Sequence, residues 1–461
     1  MPEIGPGMTV IVMGLGRFGG GVGAASYLLA RGASVTVTDL AEADSLQDSI
    51  TTLRQVKSTG TLEFELGTHE NVSFEDAALV VVSPAVPRPW ENKYLKRARD
   101  AGVPVCTEIE LFLERVDHRK LIAVTGSAGK SSTCAMIHHL LLESDRRCLL
   151  GGNLGGSLLG SSQEVLDDAD AIVLELSSFM LHWIKTSASR FQPQVGVLTS
   201  LSQNHIDWHQ TVEHYVAAKR FLLESVVAGN LVLPSAPEAV DSELKNHLEP
   251  VKEWMARSDK SWDEANDRVC LQNSIRLHIP GAHQKENASV ALMAVACYTE
   301  VLPEARRQTA RSLAPMIESF SGLPHRLKPL PGFETIMVVD DSKSTTPEAT
   351  MKAVEAFGSA SSIHLIAGGF DKRSDLGAVD RLGDRLAGLY AIGATSDQLL
   401  SGANARSCNT VEEAVRCASQ EIREGEILLL SPGCASWDQF ENYEQRGRAF
   451  ETAARAHLMG R

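Results

Sequence analysis

One stretch constrains the fold of this chain more than any other: the apolar run Leu121 to Val124, the turn Thr125-Gly126-Ser127-Ala128-Gly129-Lys130-Ser131-Ser132, and the helical sequence Cys134 to Leu142. A buried strand that breaks into a glycine turn and restarts as a helix leaves backbone amides pointing at the helix N-terminus, where they can cradle phosphate. In such a loop Lys130 reaches the terminal phosphates and Ser131 supplies a hydroxyl to Mg²⁺. The general pattern has a further glycine where this chain has Val124, so the match is to a shorter variant. A plain glycine turn is the weaker reading, because Lys-Ser stands at the helix start.

Strand-to-helix alternation recurs on both sides of that loop. Upstream, Val10 to Met13, a glycine turn, the helical stretch Ala24 to Arg31 and the run Ser34 to Thr38 ending at Asp39 form a βαβ unit, and Leu79 to Val82 before Ser83-Pro84 continues its sheet. Gly14-Leu15-Gly16-Arg17-Phe18-Gly19 has GxGxxG spacing, and Asp39, twenty residues past Gly19, stands where an acid would meet a ribose. The spacing alone does not separate a nicotinamide dinucleotide from a uridine diphosphate group, nor either from a tight turn with no ligand. Downstream, after the proline-containing stretch Leu323 to Pro331, candidate strands are Thr335 to Val339, His364 to Ala367, Gly388 to Ile392 and Ile427 to Leu430.

A length of 461 residues allows about three domains. The expectation is an α/β protein with a Rossmann-like N-terminal domain (1–117), a central P-loop ATPase-like domain (118–322) and a Rossmann-like C-terminal domain (323–461). The central domain includes a polar, poorly periodic part, 234–276, with no assigned chemistry. A formal charge of −14 argues against broad binding to nucleic acid or anionic membrane. The eight cysteines form no CxxC pair and read as reduced thiols. The N-terminus runs straight into a strand without a basic leader, and no apolar run approaches the ~20 residues of a membrane span. A cytoplasmic chain without membrane insertion is expected.

Polar residues follow the apolar strands wherever a parallel sheet would expose its carboxyl edge. Glu175 ends Ala-Ile-Val-Leu-Glu and is a candidate Mg²⁺ ligand; His205 and Asp207 follow the strand Gly196 to Thr199 toward the same edge. A lone histidine is more often a satisfied polar residue, a helical lysine such as Lys219 is by default a surface residue, and a boundary arginine such as Arg326 is often an interdomain ion pair. In the last third, Asp340-Asp341-Ser342-Lys343-Ser344-Thr345, Gly368-Gly369-Phe370-Asp371-Lys372 and Ser431-Pro432-Gly433-Cys434-Ala435-Ser436 could hold a dicarboxylate with two lysines and a serine.

Taken together, these residues resemble the Mur ligase family over nearly the whole chain. The central matches are Thr125 to Ser132, Gly152-Asn153-Leu154-Gly155, Leu174 to Phe179, Asn204-His205-Ile206-Asp207, Lys219, and His283 with Asn287. The C-terminal motifs look like the branch that adds D-glutamate to UDP-N-acetylmuramoyl-L-alanine. The resemblance implies ATP-dependent amide ligation through an acyl phosphate, releasing ADP and phosphate, with ATP and two Mg²⁺ ions. It implies that Gly126, Ser127, Ala128, Gly129, Lys130, Ser131, Ser132, Asn287, Arg326 and Asp341 serve ATP. Ser131, Glu175, His205 and a carbamylated Lys219 would serve the metal, with Lys130, His205 and Lys219 catalytic. Gly14, Leu15, Gly16, Arg17, Asp39, Ser83 and Asn153 would meet the UDP-linked precursor, and Lys343, Thr345, Lys372, Ser436 and Tyr443 the D-glutamate. A monomer is expected. Ala128 stands where the family loop commonly has Asn, Gln284 where Asn often follows the histidine, and Tyr443 where Phe is usual.

Rival readings are a ligase for another amino acid such as L-glutamate, or one extending folate; an NAD-dependent dehydrogenase, which would leave Lys130 and Glu175 without a role; and a non-catalytic nucleotide-binding descendant.

Overall fold

The computed structural model describes residues 2–16, 19–187, 191–227, 229–234, 240, 244, 271, 275–371 and 375–459. Three mainly parallel sheets account for the α/β architecture anticipated from the alternating pattern. The first contains β1 (Thr9–Met13), β2 (Ser34–Asp39), β3 (Leu62–Leu66), β4 (Leu79–Val82) and β5 (Val105–Cys106), in the order β3-β2-β1-β4-β5. The second contains β6 (Leu121–Thr125), β7 (Cys148–Gly152), β8 (Ala171–Glu175), β9 (Val195–Leu198) and β10 (Leu231–Val232), in the order β10-β9-β6-β8-β7. The third contains β11 (Lys328–Pro329), β12 (Met337–Asp340), β13 (Ile363–Gly368), β14 (Gly388–Ile392), β15 (Ala405–Asn409) and β16 (Ile427–Leu430), in the order β11-β12-β16-β13-β14-β15. Only the β11–β12 pair is antiparallel among these ladders. The chain divides into two compact units, Met1–Ile275 with Glu286–Ile317, which holds the first two sheets, and Arg276–Lys285 with Glu318–Arg461, which holds the third.

Central strands are continuous apolar runs because helices cover both faces of a parallel sheet. All of Leu121 to Val124 and Ala171 to Leu174 are completely buried, and removing each such leucine, isoleucine or valine from water stabilises by about 1.5–3 kcal/mol. The strand order reverses beside β1 and beside β6, which opens a crevice at the carboxyl ends there. Gly14 and Ser83 meet in the first crevice; the loop 126–132 occupies the second.

Two helices begin earlier than their apolar patterns suggest. The helix Lys130–Glu143 starts at the lysine because Gly129, at φ 81°, is its left-handed N-cap. The helix Gly20–Ala30 starts four residues before Ala24, in a glycine-rich turn whose intrinsic helix propensity is poor. Packing dictates those glycines: a Cβ on Gly21 would stand 2.4 Å from the Leu15 carbonyl oxygen. Gly21→Ala is therefore expected to destabilise the first unit by roughly 1–3 kcal/mol through overpacking. Equilibrium denaturation checks this, and a wild-type midpoint would show that the loop yields freely.

Candidate active site

The phosphate-binding loop is held from behind by the segment after β9. Ser127 N donates to Ser200 O at 2.9 Å, Ala128 N donates to Ser200 Oγ at 2.8 Å, and the Ser127 hydroxyl lies 2.6 Å from Tyr215 Oη. Two glycines are required by close approach. A Cβ on Gly126 would sit 2.0 Å from Thr199 Oγ1, and one on Gly129 would sit 2.5 Å from Asn287 Oδ1. The latter contact puts Asn287 against the loop, as the family resemblance implies. Lys130 folds back over the turn, its Nζ donating to Gly126 O at 2.9 Å and Ser127 O at 3.2 Å. Ser131 is buried in the first helical turn, followed by Ser132.

Lys219 departs furthest from its default reading. It is no surface lysine: only 3% exposed, it projects from the helix Val212–Ser225 and donates to Gly126 O at 2.8 Å. Burial, then the neighbouring Lys130 cation, push its pKa well below the usual lysine range, with Glu175 opposing. Glu175, 1% exposed, accepts from Asn153 Nδ2 at 3.1 Å through Oε1, while its buried Oε2 has no hydrogen-bond partner. An orphaned carboxylate oxygen beside an amine held toward its neutral form is a donor set that suits a hard cation. Among the described residues no three His, Cys, Asp or Glu side chains gather as a metal cluster. A Mg²⁺ ion there therefore needs oxygen from Ser131 or from a modified Lys219. His205 holds a left-handed turn, φ 55°, at the start of the one-turn helix Ile206–His209, with Asp207 exposed beyond it. Its ring packs on Phe179, and desolvation followed by Lys130 and Lys219 lowers its pKa, against Asp207.

In the first crevice Gly14, Leu15, Gly16, Ser83 and Asn153 line one cleft. The Asp39 carboxylate accepts from Gly16 N at 3.0 Å and Ala41 N at 2.9 Å, so it pins the glycine turn. Arg17 lies outside the described residues.

In the second unit, Asp341 is buried, and its carboxylate accepts from Leu327 N at 3.0 Å, Ser431 Oγ at 2.8 Å and the Ser344 hydroxyl. Burial raises its pKa to about 6. The direct ATP contact implied for Asp341 would compete with those bonds. Lys343 Nζ sits 3.8 Å from the centre of the Tyr443 ring, a cation–π contact, while Thr345 borders a small cleft with Phe370 and Cys434. Ser436 is buried at the end of its loop, and Arg326 follows His325, which pairs with Asp340 at 2.7 Å. Lys372 lies outside the described residues. Sequence reasoning missed Arg446, which is 1% exposed and donates to Ser342 Oγ at 3.0 Å, Ser342 O at 2.8 Å and Cys434 O at 3.0 Å. Its guanidinium ties together the two loops that carry Lys343 and Ser436. Only the density of arginine and glycine at the start of that helix could have hinted at it.

Comparison with known proteins bears on this arrangement. Residues 8–107 match the Mur ligase MurD-like N-terminal domain, and residues 124–295 match the Mur ligase middle domain. The chain belongs to the Mur ligase family. Its fold is similar to UDP-N-acetylmuramate-alanine ligase MurC of Thermotoga maritima (TM-score 0.56, 18% identity, 97% of this chain and 99% of that one). It is also similar to MurF of Acinetobacter baumannii (TM-score 0.54, 15% identity, 98% and 93%). Among curated relatives, the UDP-N-acetylmuramoylalanine--D-glutamate ligase of Koribacter versatilis is 33% identical across 97% of both chains, and that of Cereibacter sphaeroides (strain ATCC 17025) is 34% identical across 98% of both. Within the family the chain is a ligase of this UDP-N-acetylmuramoylalanine--D-glutamate group. No helix among the described residues is long and apolar enough to cross a membrane.

The depressed pKa of Lys219 gives a signed prediction. Between that pKa and the ordinary lysine value the unfolded chain binds one more proton than the folded one at this position, so its contribution to stability rises with pH across the window. Lys219→Met removes the contribution. The stability difference between Lys219→Met and wild type should favour the variant at pH 7 and shrink as pH approaches 10. A pH-independent difference in urea titrations would contradict a neutral buried amine.

Proposed function

We propose that this chain uses ATP to join the amine of D-glutamate to the free carboxyl of UDP-N-acetylmuramoyl-L-alanine. The observation that carries the reading is the placement of Lys219 and the unpartnered Glu175 oxygen directly behind a phosphate-binding loop. The reading assigns 1–117 to the precursor, 118–322 to ATP and metal and 323–461 to the amino acid, in a cytoplasmic, monomeric enzyme.

ATP binds with its phosphates along the amides of Gly126 to Ser132, at a helix N-terminus where anions are favoured. Lys130 leaves its loop carbonyls for the terminal phosphate and neutralises charge as the precursor carboxylate attacks the γ-phosphorus. The products of that step are an acyl phosphate and ADP. The glutamate amine then adds to the activated carbonyl, loses its proton, and phosphate departs. Mg²⁺, held by Ser131, Glu175, His205 and a Lys219 carbamate, would supply Lewis-acid charge neutralisation at the phosphates. Lys343, Thr345, Lys372, Ser436 and Tyr443 orient the glutamate, with Arg446 holding their loops in register.

Incubation with ATP, Mg²⁺, UDP-N-acetylmuramoyl-L-alanine and each glutamate enantiomer, followed by mass spectrometry, tests the proposal. The expected product is the glutamyl adduct from the D form with equimolar ADP. An adduct with L-glutamate only, or nucleotide hydrolysis with no adduct, would overturn it.

The carbamate has its own test. A neutral amine adds CO₂ at nitrogen and releases one proton to solvent, and the resulting carbamate is an anion whose oxygens would suit Mg²⁺. Lys219→Ala should lose at least about tenfold in turnover, roughly 1.4 kcal/mol or more of barrier, and formate or acetate should restore part of it. Lys219→Arg should resist rescue, because its permanent cation fills the space. An active alanine variant would return Lys219 to a packing role.

A further inference from the structure

The helix Ser178–Thr186 presents adjacent residues to two places. Met180 lines the cleft with Ser83, Pro84 and Ala85, and Phe179 packs against His205 with ring centres 4.9 Å apart. Trp208, 3% exposed, stacks on Phe179 at 4.6 Å. Its indole Nε1 donates to Val86 O at 2.9 Å, one residue beyond the cleft-lining Ala85. Trp90, four residues further on, meets Trp208 edge to face at 5.5 Å and His214 at 4.9 Å. His214 in turn approaches His182 at 3.0 Å between ring nitrogens. Gln210 adds a second link to the same segment, donating to Glu91 Oε1 at 3.2 Å.

The far end of this cluster carries strain. His205 is a non-glycine residue at φ 55°, a conformation that costs on the order of 1 kcal/mol and persists only where its surroundings enforce it. What enforces it is the one-turn helix that follows: Trp208 N and His209 N both donate to the His205 carbonyl, at 3.2 and 2.9 Å. Trp208 thus takes part in both events, closing the turn that aims His205 and gripping the segment that borders the cleft.

We infer that Trp208 is a positioning residue: through its bond to Val86 and its stack on Phe179 it couples occupancy of the cleft at Ser83 to Ala85 to the placement of His205. The inference rests on the proposed function for the identity of the cleft ligand, a UDP-linked sugar acid. Binding there fixes residues 83–91, and the indole passes that order to the strained turn. ATP, held mainly by the loop 126–132, would feel the coupling only through His205.

Trp208→Phe removes the indole N–H and keeps a ring on Phe179, so it should fold. It is expected to raise KM for UDP-N-acetylmuramoyl-L-alanine about tenfold and lower kcat several-fold, with a smaller rise in KM for ATP. Trp90→Phe should show a smaller loss of the same kind, and the double variant less than the product of the two, as for residues acting in one chain. Calorimetric binding of the UDP-linked precursor without ATP or amino acid reads the affinity change apart from turnover. Wild-type kinetics in Trp208→Phe would overturn the inference. So would losses that scale with the folded fraction and leave every KM unchanged, the mark of packing alone. If wild type binds the precursor but makes no adduct with glutamate, the functional reading falls, and the calorimetry on Trp208→Phe still decides the coupling.

Discussion

The hydrogen bond from Lys219 to the carbonyl of Gly126 is the contact on which the central site depends. It places an amine from a distant helix under the phosphate-binding turn, only 3% exposed. The same burial that disfavours its ammonium form also strips Glu175 Oε2 of partners. Lys130 donates to the same Gly126 oxygen, and after burial its charge is the next largest cause that lowers the Lys219 pKa. The site holds a carboxylate oxygen without a hydrogen-bond partner and an amine pressed toward neutrality, a pair that the proposed cation would satisfy.

Parallel sheets decide where such a site can form. Each sheet delivers its polar residues from carboxyl ends, and crevices open only where strand order reverses. In the first sheet that point brings Gly14 against Ser83, with a Cβ on the glycine reaching within 2.8 Å of the serine Cβ. In the second it brings the loop after β6 between Glu175 and Thr199. In the third, β16 lies between β12 and β13, so Ser431 comes alongside Asp341 and bonds to it. The pocket-forming motifs are far apart in sequence and adjacent in register.

Much of this was legible before any coordinates, and for a physical reason. Strands buried on both faces are unbroken apolar runs, so β4, β14 and β16 have the bounds that the sequence suggests. Short or edge strands such as β3, β5 and β15 lack that signature: β3 carries Glu63 and Glu65 on a half-exposed edge. Roles that depend on long-range partners were hidden. Arg446 looks like any helical arginine until carbonyls from residues 342 and 434 close around it, and the bond by which Asp39 pins the turn comes from Gly16 N, 23 residues away. Trp208 belongs to the same class, because its partner is a backbone carbonyl 122 residues away.

The central claim is that Lys219 is neutral and becomes an oxygen ligand. Carbon-13 NMR of the intact enzyme with labelled bicarbonate and Mg²⁺ addresses it without turnover. The account predicts one carbamate carbon signal in wild type that disappears in Lys219→Ala. Identical spectra from the two proteins, with wild type fully active in the same buffer, would contradict it.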